Sequence, residues 1–181
     1  MNRRALALTF ALALSSLAGC AKPAGGSSDR EQAEVSMAVL GTARALHHEA
    51  DVFEATGDFD RAQGAMRRVL ALQLPPGLAE AEDVRADAWG RLAELDLRRD
   101  RPDEALAHAD EGLRATPHES VLQARLHMVR GQALRALAER ASTANDTATA
   151  ARRREEALSA LERSIEINTR ILGRLTDGGR R

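Results

Sequence analysis

One cysteine and five histidines are the side chains best suited to covalent or metal chemistry in this chain, and their spacing decides how much of it is open to them. Cys20 stands alone, so it forms no disulfide within the chain. It follows a basic stretch at Asn2, Arg3 and Arg4 and a 13-residue apolar run, residues 5–17, which marks it as a modification site rather than a structural thiol. His47 and His48 are adjacent and point to different faces of a helix, while His108, His118 and His127 have neither a cysteine nor a second histidine at ligand spacing. No metal site is expected, and the histidines read as solvated surface groups. No nucleophile elbow, phosphate-binding loop or Gly-x-Gly-x-x-Gly run occurs, and the carboxylates are spread along helical segments. The residues point away from catalysis, and no cofactor is expected. Arg152, Arg153 and Arg154 run straight into Glu155 and Glu156, the pattern of a solvated helix face rather than an anion site.

The segment in front of Cys20 explains the thiol. Its apolar run falls short of the ~20 residues that span a bilayer, but it suits the core of a signal peptide. Leu17-Ala18-Gly19-Cys20 resembles the lipobox of bacterial lipoproteins, in which small residues admit the signal peptidase to the bond before a cysteine whose sulfur carries a diacylglyceryl group. The resemblance implies that residues 1–19 are a lipoprotein signal peptide and that the mature chain begins at lipidated Cys20. Two or three acyl chains, at ~0.8 kcal/mol per buried methylene, anchor such a protein for long times. Ala21, in place of an aspartate after the cysteine, resembles the class sorted to the outer membrane. A lipid-anchored protein of the cell envelope facing the periplasm is therefore expected, with the bilayer as its first partner. The alternative is a signal peptide cut elsewhere, with Cys20 a free thiol.

Composition limits what the rest can be. Apolar residues make up 44%, yet Tyr is absent and Phe and Trp number three and one, so a core must come from Ala, Leu, Val, Ile and Met. That inventory favours helices. Loss of Arg3 and Arg4 with the signal lowers the 26 basic residues to 24 against 27 acidic ones. A nucleic-acid partner is not expected, because no concentrated basic face with stacking aromatics exists.

Residues 20–30 read as the lipidated cysteine with a flexible linker, since 22–28 combine Pro23 with Gly25, Gly26, Ser27 and Ser28. A helical domain is expected over 31–175 and a disordered tail over 176–181. Ser28 and Glu31 form a possible capping box for the first helix, whose Met37, Leu40, Ala43, Leu46, Ala50 and Phe53 share one face. Gly57 and Asp58 supply a stop and a new N-cap, and the next helix carries Ala62, Met66, Val69 and Gln73 as far as Pro75. A second pair follows through Val84, Ala88, Leu92 and Leu95, a break near Asp100, and a helix opened by Pro102 through Ala105, Leu106, Ala109 and Leu113. The third pair runs through Leu122, Leu126, Val129 and Leu137, then Leu158, Leu161, Ile165, Ile171 and Leu172. The polar residues 141–150 between its helices are expected to form an extended loop.

Trp89, Leu92 and Ala93, with Ala105 thirteen residues after Leu92 and Pro117 twelve further on, resemble the tetratricopeptide pattern of paired helices. The turn at residues 57–62 behind Ala50 and Phe53, and residues 156–168, resemble the same unit. The resemblance covers about 46–170 and implies an all-α fold of antiparallel helix pairs stacked as a short TPR-like α-solenoid of about three degenerate repeats. It also implies small residues at Ala50, Ala62, Ala93, Ala105, Gly131 and Ala157, where paired helices cross closest. Strict repeats recur every 34 residues, but Ala62 to Ala105 is 43 and Ala105 to Ala157 is 52. Asp96 and Ala109 stand where the pattern has aromatics. A plain up-and-down bundle is the alternative fold.

Stacked pairs of this kind line a concave face with the first helix of each pair, a surface suited to extended peptides or partner helices. The resemblance places His47, Asp51, Glu54, Arg91, Glu94, Arg98, Gln132 and Arg135 on that face. The function expected is a membrane-anchored adaptor or assembly factor with a protein or peptide partner. The alternative is a periplasmic helical lipoprotein that holds a small ligand between helix pairs, and a purely structural envelope role is a third.

Overall fold

The computed structural model describes residues 25–178 and the side chains of 28–174. Cys20, the signal segment and the start of the linker lie outside the described residues. Among those described there are six helices and no strand: α1 (Gly25–Ala55), α2 (Phe59–Leu70), α3 (Ala81–Arg98), α4 (Pro102–Ala115), α5 (Val121–Thr143) and α6 (Thr147–Gly178). Each packs against the next in sequence, and α3 also packs against α5.

The chain turns where its punctuation says it should. Gly57 takes φ +75°, a left-handed conformation that costs glycine little, and the Asp58 carboxylate then accepts the Arg61 backbone N–H at 3.1 Å to open α2. Asp100 is left-handed at φ 56°, and Pro102 begins α4 with Asp103 and Glu104 in its first turn. Ser120, in extended backbone, caps α5 by accepting the Gln123 backbone N–H at 3.1 Å.

Three expectations are corrected. The polar residues 141–150 are not a loop: α5 continues to Thr143 and α6 starts at Thr147. Asn145 at φ 60° makes the reversal, and Asp146 accepts the Thr149 backbone N–H at 3.0 Å, so one left-handed residue and one cap do the work assigned to ten. The described helices also extend beyond the 31–175 bounds expected of the helical domain. Helix α1 already includes Gly25, ahead of the Ser28 and Glu31 box, and α6 runs on to Gly178.

The third correction concerns which faces are covered. Met37 is 66% exposed, and Leu158, Ile165 and Leu172 are 61%, 65% and 62% exposed, although helical periodicity put them inward. Helix α6 is the last of the described helices, and α5 is the helix it packs against. It turns Ala150, Ala157, Ala160, Ser164 and Ile167 inward instead. Small side chains let the two long helices lie closer than a leucine stripe would allow.

Alanine dominates the interior for the same reason. One buried cluster joins Ala43, Leu46 and Ala50 of α1 to Ala62, Ala65, Met66 and Val69 of α2 and Ala88, Leu92 and Leu95 of α3. A second joins Ala93, Ala105, Ala109, Val129 and Ala133 across α3, α4 and α5. Two glycines mark the tightest approaches. A Cβ on Gly112 would meet Leu126 Cδ2 at 2.5 Å and Trp89 Cβ at 2.9 Å, so α4 touches α3 and α5 at one point. A Cβ on Gly131 would meet Leu161 Cγ at 2.8 Å and the Ala157 carbonyl oxygen at 3.2 Å.

Gly41, by contrast, has nothing within 4 Å of the same position. Gly112→Ala and Gly131→Ala should each destabilise the fold by about 1–3 kcal/mol through overpacking. Gly41→Ala should stabilise it by about 0.5–1 kcal/mol, because alanine is the better helix former. Urea unfolding of the three variants checks the contrast, and similar shifts in all three would contradict it.

Candidate functional site

The exposed rows of α1, α3 and α5 meet at an open hollow of about 650 Å3. Leu40 and Ala43 from α1, Val84 from α3 and Leu122 from α5 supply its apolar lining. Arg44, His47, Asp51, Glu80, Asp83, Asp87, Arg91 and Arg125 complete it with charge. No helix spans this region alone; three that are not consecutive in the chain have to be held together.

Arginines hold them. Arg91 of α3 donates to Asp51 at 2.6 Å and also to Glu54, both on α1. Arg98, two helical turns along α3, donates to the other oxygen of Glu54 and lies 4.8 Å from the Phe59 ring centroid, a cation–π contact. On the other side of α3, Arg125 of α5 donates from Nε to Glu94 at 2.8 Å, from Nη2 to Glu94 at 2.6 Å and from Nη1 to Asp87 at 2.6 Å. The two-pronged grip on Glu94 fixes direction as well as distance. It also holds the Arg125 guanidinium above its ordinary pKa, against the opposing effect of burial.

His47 sits between the two halves of this lattice, with Nδ1 3.6 Å from Asp87 Oδ2. Burial pushes its pKa down, and Arg91 and Arg125 add to that, while Asp87 and Asp51 oppose it.

Of the eight residues expected on one face, His47, Asp51 and Arg91 line the hollow, and Glu54, Glu94 and Arg98 are tied to it through the ion pairs without lining it. The other two stand apart. Gln132 is exposed on α5, and Arg135 lines a smaller apolar hollow of about 310 Å3 with Ala138, Ala157, Leu158 and Leu161 between α5 and α6. Asp87 and Arg125 belong to the site and were missed. Asp87 lies four residues before Arg91 and Arg125 seven before Gln132, so extending each helical row backwards finds them.

Histidines are less exposed than expected, because three of the five face neighbouring helices. Besides His47, His108 donates from Nδ1 to Asp96 at 2.6 Å, beneath Trp89, whose ring centroid is 5.6 Å away. Asp96 is buried and also accepts from Gln63 Nε2 at 2.5 Å, so its carboxylate knots α2, α3 and α4. His127 is half-buried, and its Nδ1 is buried without a hydrogen-bond partner. Burial lowers its pKa first, then Arg163 and Arg130, against Asp110. Among the described residues, no group of three or more His, Cys, Asp and Glu is arranged to hold a metal ion. No described helix is long and apolar enough to cross a membrane.

The chain matches no protein-family description, no curated protein and no solved structure.

His47 and His127 both lie below their ordinary 6.5 when folded. The unfolded chain then binds more protons than the folded one as pH drops through about 6.5, so stability is present above that value and lost below it. The urea midpoint should fall between about pH 7.5 and pH 5.5, and His127→Leu should flatten part of that fall. An unchanged pH profile in the variant, or greater stability at the lower pH, would contradict the assignment.

Proposed function

We propose that the mature chain is a TPR-like lipoprotein, anchored through acylated Cys20 to the bacterial cell envelope, that serves as a protein-binding adaptor or assembly factor. The observation that carries this reading is the hollow shared by α1, α3 and α5. These are the first helices of three successive pairs, the ones a stacked solenoid would align along its concave face. Open mouth, apolar floor and charged walls suit a peptide segment, which needs both a strip to bury side chains and polar groups to set register. The envelope location rests on the basic start, the apolar run and the lipobox-like residues 17–20.

The volume of the hollow also falls within the ~300–1,000 Å3 range of small-molecule sites, which favours the ligand-binding alternative on size alone. Its charges argue the other way, since the walls spend their arginines on each other rather than aiming them at a common point.

A photo-crosslinking residue at position 84, in the hollow, separates the readings when compared with one at Ser159, exposed on α6. The full chain expressed in its bacterial envelope should capture one stoichiometric protein from position 84 and not from 159. Cys20→Ala should abolish that capture by releasing the chain from the membrane. Repeated failure to capture any protein from the hollow would remove the adaptor reading.

A further inference from the structure

Resting on the groove reading above, we infer that the hollow between α1, α3 and α5 selects a basic segment: an extended or helical peptide that sets apolar side chains on the floor and one or two lysines or arginines at the start of α3. The charge on offer at the mouth decides this. Arg91 and Arg125, the cations that could otherwise receive an acidic partner, are already held by Asp51 and Glu54 and by Asp87 and Glu94. Breaking either set to admit a new carboxylate would strand two acidic groups for the sake of one.

What remains unspent is mostly negative. Glu80, the N-cap residue of α3, and Asp83, one turn on, line the hollow and make no ion pair or side-chain hydrogen bond among the described residues. They are exposed and three apart, so both carboxylates can approach one incoming cation. Glu82, beside them, is turned to His118 at 3.0 Å and does not share in this. Arg44 is the single lining arginine without a partner, and it belongs to α1 rather than α3. The end of α3 that would attract an anion already carries Glu82 and Asp83 in its first turn, which satisfies the positive end of the helix dipole. Apolar side chains share the lining, with Val84 next in sequence to Asp83 and Leu122 in the first turn of α5. A cation beside an apolar side chain is thus the combination that meets its complement, and an acid meets repulsion at Glu80 and Asp83.

Fluorescence anisotropy on the full-length chain in a neutral detergent tests this with three labelled dodecapeptides of equal apolar content, carrying four lysines, four glutamines or four glutamates. The lysine peptide should bind at least roughly tenfold more tightly than the glutamate peptide, and the difference should shrink as salt is raised. The double variant Glu80→Gln, Asp83→Asn should weaken the lysine peptide by roughly fivefold to tenfold and leave the glutamine peptide unchanged. Arg44→Gln should not weaken the lysine peptide. Glutamate binding as tight as lysine binding, or a double variant that holds the lysine peptide as well as the native chain does, would overturn the charge preference while leaving the groove in place. Binding of none of the three would overturn the groove reading itself.

Discussion

Where α4 meets α3 and α5, and again where α5 meets α6, a glycine lets one helix backbone lie against a neighbour's leucine or tryptophan. Around those two points the interior is lined with alanine. An alanine side chain removes little apolar surface from water, so a core of this kind gains its cohesion from closeness. Dispersion falls away within an ångström of ideal separation, and a helix pushed outward by one methyl group loses it along the whole seam. With Tyr absent and only four other aromatics, few large side chains exist to fill a wider gap.

Short interhelical distances also make the polar lattice possible. Arg91 reaches two carboxylates on α1, and Arg125 reaches two on α3, because the helices they bridge stand close enough for a single side chain to span. Apart from the exposed Asp51 these groups are partly buried, where an ion pair does more to fix register than to add stability. The result is a hollow with apolar side chains in its lining, with Arg91 and Arg125 committed, and with the free carboxylates of Glu80 and Asp83 at the start of α3. Asp96 plays the corresponding part on the other side of α3, taking hydrogen bonds from Gln63 and His108 where a ring would have filled space. A buried carboxylate needs partners from every side, and here they come from α2 and α4.

Much of this was legible in the amino-acid order. Gly57 with Asp58, and Asp100 with Pro102, announce their turns through the conformations that only those residue types take easily. His47, Asp51 and Glu54 on α1 and Arg91, Glu94 and Arg98 on α3 follow helical spacing, so a row drawn along each helix finds them. Other features were illegible for equally physical reasons. Residues 141–150 are rich in Ser, Thr, Asn and Asp, which suggests a loop by composition, but the alanines among them favour helix and a single left-handed Asn145 suffices to reverse the chain. On α6 two faces compete, one of Leu158, Ile165 and Leu172 and one of Ala157, Ala160 and Ile167. Periodicity reveals both and cannot say which one a neighbour covers. Asp87 and Arg125 lie on the same helical rows, four residues before Arg91 and seven before Gln132, where the expected rows had not yet begun; only their partners on other helices are beyond what spacing along one helix can say.

A double-mutant cycle between Gly131→Ala and Leu161→Ala tests the close crossing most directly. The Leu161 side chain lies 2.8 Å from where the new methyl group would sit, so truncating it should relieve the strain. Close packing predicts that the double variant loses less stability than the two single losses added together, by about 1 kcal/mol or more. Additivity to within about 0.3–0.5 kcal/mol would mean that the two helices do not meet there, and would contradict the close packing of α5 against α6.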